Sequence, residues 1–469
     1  MGINDTATLE ANMANHSILA GPDGTGAYML TEWVRGDHIT LTKNPDWWGD
    51  NTGADQLIFR WSTESAARLL ELQAGTVDGI DNPGPDDFAT IQASADLVLK
   101  GRPALNVMYI GMTNTFAPWS DVRVRQAIAM GIDRQRIINN FYPVGSSVAT
   151  HFTPCEIAMG CEGEDWYEYD QDAARQLLAD AGFADGFATK LYYRNVVRGY
   201  LPDPVIVGTD IQAQLSEIGI DVELTEQESG TFLDNSSAGL LDGLYLLGWG
   251  ADYPDATNFL DYHFNNPANL QFGEIPASIT GPLSTGATTL DTEARTAAYQ
   301  EANNAIREFV PMIPVAHGAS ASAWRADVEG AHSSPLTSEV FSVMNPGGRA
   351  AMVFMQNAEP ISLFCPDESD GETLRVCEQI TESLYAYEVG GTAAIPSLAT
   401  ECTGNDDASV WTCTLREGVT FHNGGTLDAN DVVLSYALQW DAGHPLHIGR
   451  TGEFTYWGAF FGANLPAPE

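Results

Sequence analysis

Lysine is almost missing from this chain: Lys43, Lys100 and Lys190 are all that its 469 residues contain. Arginine does not make up the deficit, because Lys and Arg together number 21 against 63 Asp and Glu, a formal net charge of −42. A field of that sign repels nucleic acid and anionic membranes, so neither is expected as a partner. The carboxylates are spread along the chain, which makes them a solvated surface and not a metal-binding tail. No run approaches the ~20 apolar residues of a membrane-spanning helix. Residues Met1–Ser17, MGINDTATLEANMANHS, lack the basic-plus-apolar pattern of an export signal, so no such segment is expected in the sequence as given. There is no C-x-x-C, and the histidines are not grouped near the thiols, so no zinc site is expected. His444 and His447 have metal-like spacing but no third ligand near them. G-x-S-x-G and H-E-x-x-H are absent too, and neither a cofactor nor an enzymatic activity is expected.

What is present suits a large globular protein with a ring-lined binding cleft. Apolar residues make up 44%, with 19 Phe, 16 Tyr and 11 Trp. The length exceeds what one compact core supports, so two or more lobes are expected. Six cysteines fall into close pairs, and that spacing favours Cys155 with Cys161, Cys365 with Cys377 and Cys402 with Cys413. The last pair flanks an expected hairpin with Asn405-Asp406-Asp407 at its turn. Disulfides place the chain in an oxidising, extracytoplasmic compartment.

The most informative stretch is Leu244–Phe264, LYLLGWGADYPDATNFLDYHF. It starts as a buried strand and breaks at Gly248-Trp249-Gly250 into a loop with Asp252, Tyr253, Pro254 and Asp255. Ligand crevices of α/β proteins lie at such C-terminal strand edges. Asp252, between Trp249 and Tyr253, could meet a ligand cation there; equally, Asp252 or Asp255 could cap the turn. Upstream, a strand at 190–195, a polar loop, a helix reaching Ile218 and a strand at 221–224 make a βαβ unit. Arg198 projects from that polar loop, on the same rim as Asp252, with Arg194 as its competitor. Val107–Met112 is an apolar strand, Asp121 caps a helix through Gly131, and Asp291–Phe309 is a long amphipathic helix. In that capped helix Arg123 and Arg125 read as structural ion pairs. Val340–Met344 and Ala350–Met355 read as two strands meeting across Asn345-Pro346-Gly347-Gly348.

Several of these stretches resemble family 5 of the solute-binding proteins of ABC importers, the oligopeptide- and dipeptide-binding group. The G-W-x-A-D-Y-x-D-x-x-x-F-L pattern from Gly248 is a hallmark of that family. D-V-R-V-R-Q-A-I at Asp121–Ile128 is another, as are R-x-Y-x-P at Arg198–Pro202 and Trp411–Tyr436. The resemblance implies an α/β, two-lobe periplasmic-binding-protein fold of type II, in the large peptide-binding subclass. It implies that Asp252 receives the α-ammonium of a peptide and that Arg198, with Tyr200 in register, meets its carboxylate. Trp249 and Tyr253 would pack the ligand's middle. The oligopeptide variant carries an arginine where this chain has Leu246. Hinge segments are implied at Met112–Asn114, which makes Asn114 a further candidate ligand contact, and at Ala316–Ala321. Lobe 1 would then hold residues 1–112 and 318–469, and lobe 2 residues 113–317.

The motif order is unusual, because E-P-I-S-L at Glu359–Leu363 and Trp411–Tyr436 resemble the family's N-terminal third. The chain thus reads as circularly permuted, its old termini joined through Asn345–Gly348. The implied function is capture of a peptide-like or other small solute for an ABC permease, by a monomer outside the cytoplasm. The alternatives are a permuted scaffold or sensor domain without a transport role and, more remotely, a hydrolase using Asp252 and Asp255 as paired carboxylates.

Overall fold

The computed structural model describes residues 23–405 and 409–462. Met1–Ser17 and the turn residues Asp406 and Asp407 therefore lie outside the described residues. The chain divides into two compact units. One holds the described residues up to Pro83, Ala89–Lys100 and those from Ala321 on; the other holds Gly84–Phe88 and Gly101–Ser320.

Seven strands organise the first unit: β1 (Tyr28–Val34), β2 (His38–Lys43), β3 (Gln56–Trp61), β4 (Gly79–Asp81), β5 (Leu97–Arg102), β12 (Ser320–Arg325) and β13 (Ala351–Gln356). They form one sheet in the order β1-β2-β3-β13-β4-β12-β5. Gly36, at φ 79°, supplies the left-handed residue of the β1–β2 turn. β13 runs parallel to both neighbours, with Val353 opposite Ile58 and Phe354 opposite Gly79. The fully buried Phe354 stacks on Trp324 and meets Phe341 and Phe59 edge-on. The hairpin expected across Asn345–Gly348 does not form. Phe341–Val343 is a turn of 3-10 helix, Asn345 exchanges backbone hydrogen bonds with Glu329, and both edges of β13 are taken by β3 and β4. Apolar runs mark a segment as buried but do not say which strand it will pair with.

The second unit is built on the strands β6 (Asn106–Met112), β7 (Ser147–Val148), β8 (Phe187–Tyr193), β9 (Ile220–Glu226), β10 (Leu244–Gly250) and β11 (Met312–His317). Their order in the sheet is β7-β11-β6-β10-β8-β9. β6 is buried at every residue because both its edges and both its faces are covered, which is what its unbroken apolar run calls for. Its pairing with β10 and β11 places residues 106–112 with the second unit, whereas the resemblance implied that they lie in the first lobe. The other boundary falls at Ser320/Ala321. β8, the helix Pro204–Glu217 and β9 form a βαβ unit with β8 and β9 parallel.

Asp121 caps the helix Val122–Gly131 by accepting from the Arg123 N–H, and its carboxylate pairs with the Arg123 guanidinium. Arg125 departs from the expected ion pair. Its buried guanidinium donates to the carbonyls of Phe309 and Val310 and to Trp119, closing the end of the helix Thr292–Phe309. Burial lowers its pKa to about 10. The three cysteine pairs are bonded as their spacing suggests. Two short hairpins follow β13 in the chain: β14 (Tyr385–Tyr387) with β15 (Ala394–Pro396), and β16 (Ala399–Gly404) with β17 (Trp411–Leu415). Cys402 and Cys413 sit directly opposite each other in the second of them. Among the described residues no helix is long and apolar enough to cross a membrane, and no group of three His, Cys, Asp or Glu could hold a metal. Both ring nitrogens of His447 face backbone carbonyls, those of Leu438 and Gly452.

Candidate ligand-binding rim

β8 and β10 run parallel, with Leu191 opposite Leu244 and Tyr192 opposite Tyr245. The loops that follow Tyr193 and Gly250 therefore leave the same edge of the sheet, where an open α/β sheet binds ligands. The first of these loops carries Arg194, Arg198 and Tyr200; the second carries Asp252 and Tyr253. Gly248 lets them approach, since a Cβ there would sit 2.3 Å from the Tyr200 ring and 2.5 Å from the Val107 carbonyl oxygen. A reciprocal backbone pair between Arg198 and Leu201 closes the first loop. The Asn106 side chain then ties the adjacent segment, donating to the Gly318 carbonyl at 2.7 Å and accepting from the Gly318 N–H at 2.9 Å.

Around Asp252 the arrangement depends on one amide. Asn258 is fully buried in the helix Ala256–Phe264. Its Oδ1 accepts from the Trp249 indole N–H at 3.2 Å and from the Asp252 backbone N–H at 3.0 Å. Its Nδ2 donates to the Asp252 carboxylate at 3.0 Å. Trp249 lies flat on Tyr262, with ring centroids 4.1 Å apart and planes 25° apart, and His263 stands edge-on at 4.9 Å. His263 is neutral, since burial pushes its pKa down to about 3. Burial raises the Tyr253 and Tyr262 phenols, and the nearby charge of Asp252 adds to both shifts.

The two carboxylates of the loop have different tasks. Asp255 is the cap: its side chain accepts from the Thr257 N–H and hydroxyl and pairs with Arg295 at 2.8 Å. Burial acts to raise its pKa, but Arg295 and Thr257 outweigh that and hold it below the ordinary aspartate value. Asp252 does not cap that helix; its carboxylate accepts from the Asn258 amide instead.

Arg198 is half-buried and donates to the Val197 carbonyl at 3.2 Å. Arg194 is buried deeper, reaching the Ser229 hydroxyl at 3.0 Å and the Tyr200 hydroxyl at 3.4 Å. Tyr200 is also anchored through its carbonyl, which accepts from the Tyr142 hydroxyl at 2.7 Å. Asn114 lies elsewhere. Met112 faces Leu244 while Asn106 faces Gly250, so Asn114 leaves the sheet at the edge opposite Asp252. At ~3.3 Å per residue the two edges are roughly 20 Å apart. The Asn114 amide is committed to the backbone of Glu274, donating at 2.8 Å and accepting at 3.1 Å. Sequence reasoning missed Asn258 and Tyr262. The signal for Asn258 was its place three residues after Asp255, where a polar side chain can reach back over a helix start.

The profile of the bacterial extracellular solute-binding proteins, family 5, matches residues 9–271 and 393–451. The dipeptide-binding protein of Pseudomonas aeruginosa is 29% identical over 325 residues, covering 68% of this chain and 61% of that protein. The chain thus spans about three-fifths of the length of such curated relatives. Among solved structures, a dipeptide-binding protein of Pseudoalteromonas sp. SM9913, in complex with Met-Leu, superposes with a TM-score of 0.69 at 24% identity. That match covers 73% of this chain and 69% of the other. The ABC transporter-associated periplasmic binding protein DppA of Helicobacter pylori, in complex with the peptide STSA, gives 0.64 at 24% identity over 70% and 65%. These likenesses establish the fold as that of the type II peptide-binding proteins.

Proposed function

Because the chain belongs to family 5 of the bacterial extracellular solute-binding proteins, we propose that it captures a short peptide outside the cytoplasm and delivers it to an ABC importer. The observation that carries this reading is the placement of Asp252, against the Trp249–Tyr262 wall, on the same sheet edge as the Arg198 loop. A carboxylate and a guanidinium on one rim suit the two ends of a zwitterion, and stacked rings suit its apolar middle. The named ligands of the dipeptide-binding relatives point the same way. The three disulfides fit an oxidising compartment. The protein acts as a monomer in this reading. The comparisons lend no support to a scaffold or a hydrolase.

The segment order is part of the proposal: the chain is a circular permutation of the family pattern. Its support is that β13, just after Asn345–Gly348, occupies the middle of the first unit's sheet. A reordered chain starting at Gly348, with the present ends joined by a flexible linker, is expected to fold; failure to fold would count against the permutation.

Calorimetry and thermal shift with Met-Leu, N-acetyl-Met-Leu and Met-Leu-amide test the function. Ligand at a hundred times its Kd stabilises the native state by about 2.7 kcal/mol. Met-Leu should raise the melting temperature, and masking either terminus should weaken binding. Equal binding of the three forms, or no binding across a dipeptide panel, would overturn the reading.

A further inference from the structure

We propose that Asn258 is a positioning residue for ligand recognition, presetting both the charge and the aromatic wall that meet a peptide's amino end. The inference rests on the peptide-binding reading above, and it concerns a residue that touches no ligand in that reading. The Asn258 amide is fully buried and makes three directed contacts, two through Oδ1 and one through Nδ2. Oδ1 fixes the Trp249 indole and the loop backbone at Asp252; Nδ2 fixes one oxygen of the Asp252 carboxylate. Trp249 is the next-to-last residue of β10, opposite Val107, and Asp252 lies beyond the strand, where the sheet's own pairing gives out. Asn258 is rigid because it sits in the first turn of a helix capped by Asp255, and Arg295 pins that cap in turn. The Nδ2 contact that orients Asp252 is also a donor aimed at the side of the site where a carboxylate's negative charge would lie.

This geometry makes the chemistry of residue 258 testable without gross repacking. Asparagine to aspartate preserves shape and both acceptor contacts but replaces the Nδ2 donor by an oxygen. At pH 8 two carboxylates would then face each other at the distance of a hydrogen bond, so one must take a proton or move away. Below neutral pH a shared proton restores a donor between them.

The test uses the full chain, Met-Leu as probe and N-acetyl-Met-Leu as control, with N258A and N258D compared with the unsubstituted protein by calorimetry from pH 5 to 8. Loss of a hydrogen bond to a charged group is expected to weaken Met-Leu binding in N258A by about tenfold to a hundredfold. N-acetyl-Met-Leu, which lacks the ammonium, should change far less. N258D should bind Met-Leu poorly at pH 8 and recover by about tenfold or more towards pH 5, a steeper change than in the unsubstituted protein, where the peptide's own α-ammonium, with a pKa of about 7.7–8.0, already weakens binding towards pH 8. In parallel, the indole N–H resonance of Trp249, assigned through W249F, should move in N258A and titrate in N258D. If the protein binds no Met-Leu, the peptide reading fails, and the indole titration alone then decides the role of Asn258. An unmoved Trp249 resonance, equal losses for both ligands, or an N258D profile parallel to that of the unsubstituted protein would overturn the proposal.

Discussion

Replacing Asp261 by asparagine isolates the effect of one buried carboxyl. Asp261 lies in the helix Ala256–Phe264, where its Oδ1 accepts from the Asn265 amide at 3.1 Å and its Oδ2 is buried with no hydrogen-bond partner among the described residues. Burial raises its pKa from 3.8 to about 7; the charge of Asp255 adds to the rise, while Asn265 and Arg295 oppose it. A rise of about three pH units corresponds to ~4 kcal/mol between the two protonation states, an upper figure because the residue is not wholly enclosed. The sign follows from linkage. Between pH 4 and 7 the folded protein holds this proton and the unfolded chain does not, so stability falls as pH rises. In D261N the side chain stays neutral throughout and keeps the contact with Asn265. Urea unfolding at pH 5 and pH 8 is the assay, and the comparison with D261N cancels every other titrating group. The unsubstituted protein should lose about 2–3 kcal/mol more than the variant across that interval. A difference between the two that is the same at both pH values would refute the assignment.

Further outcomes follow from the same rim. D252N, which keeps the shape but removes the charge, should cost Met-Leu about 2–5 kcal/mol of binding free energy with a melting temperature close to that of the parent, as for breaking a buried charge pair; calorimetry showing unaltered affinity would return Asp252 to a turn residue. G248A drives a methyl into the Tyr200 ring and the Val107 carbonyl and should destabilise by about 1–3 kcal/mol, with a displaced Arg198 loop visible by crystallography; an unchanged melting temperature would contradict the packing. N114A removes both contacts to Glu274 and should lower stability by about 1–3 kcal/mol while leaving Met-Leu affinity intact, so a tenfold loss of affinity would show that Asn114 serves the rim after all.

The parts that could be read from the sequence are those in which local chemistry decides the outcome. The apolar run of β6, the Asp121 cap and the glycine-ended strand before Asp252 each carry their instruction within a few residues. The choice between Asp252 and Asp255 as turn cap could not be read that way. It turns on Arg295, which approaches from a helix forty residues away, and on Asn258, whose amide takes the place of a cap for Asp252. Asn114 lies at the end of the sheet opposite Asp252 because strand direction, not motif position, assigns a residue to one end, and β6 runs antiparallel to β10. The supposed hairpin at Asn345–Gly348 failed for a related reason, since β13 has partners far off in the chain and none beside it.

The placement of β13 also sets an order of assembly. The second unit draws almost entirely on one continuous stretch, Gly101–Ser320, so its sheet can close as soon as that stretch is available. β3 has no such independence: the strand it needs on its inner edge is β13, with the whole second unit lying between them in the chain. A chain delivered in this order must carry β1, β2 and β3 with the inner edge of β3 unpaired while the later unit matures. Contacts so distant in sequence form slowly because a long loop must close before any of them stabilises the fold. The strands β1 to β3 thus stand in the chain far ahead of the partner that completes their sheet.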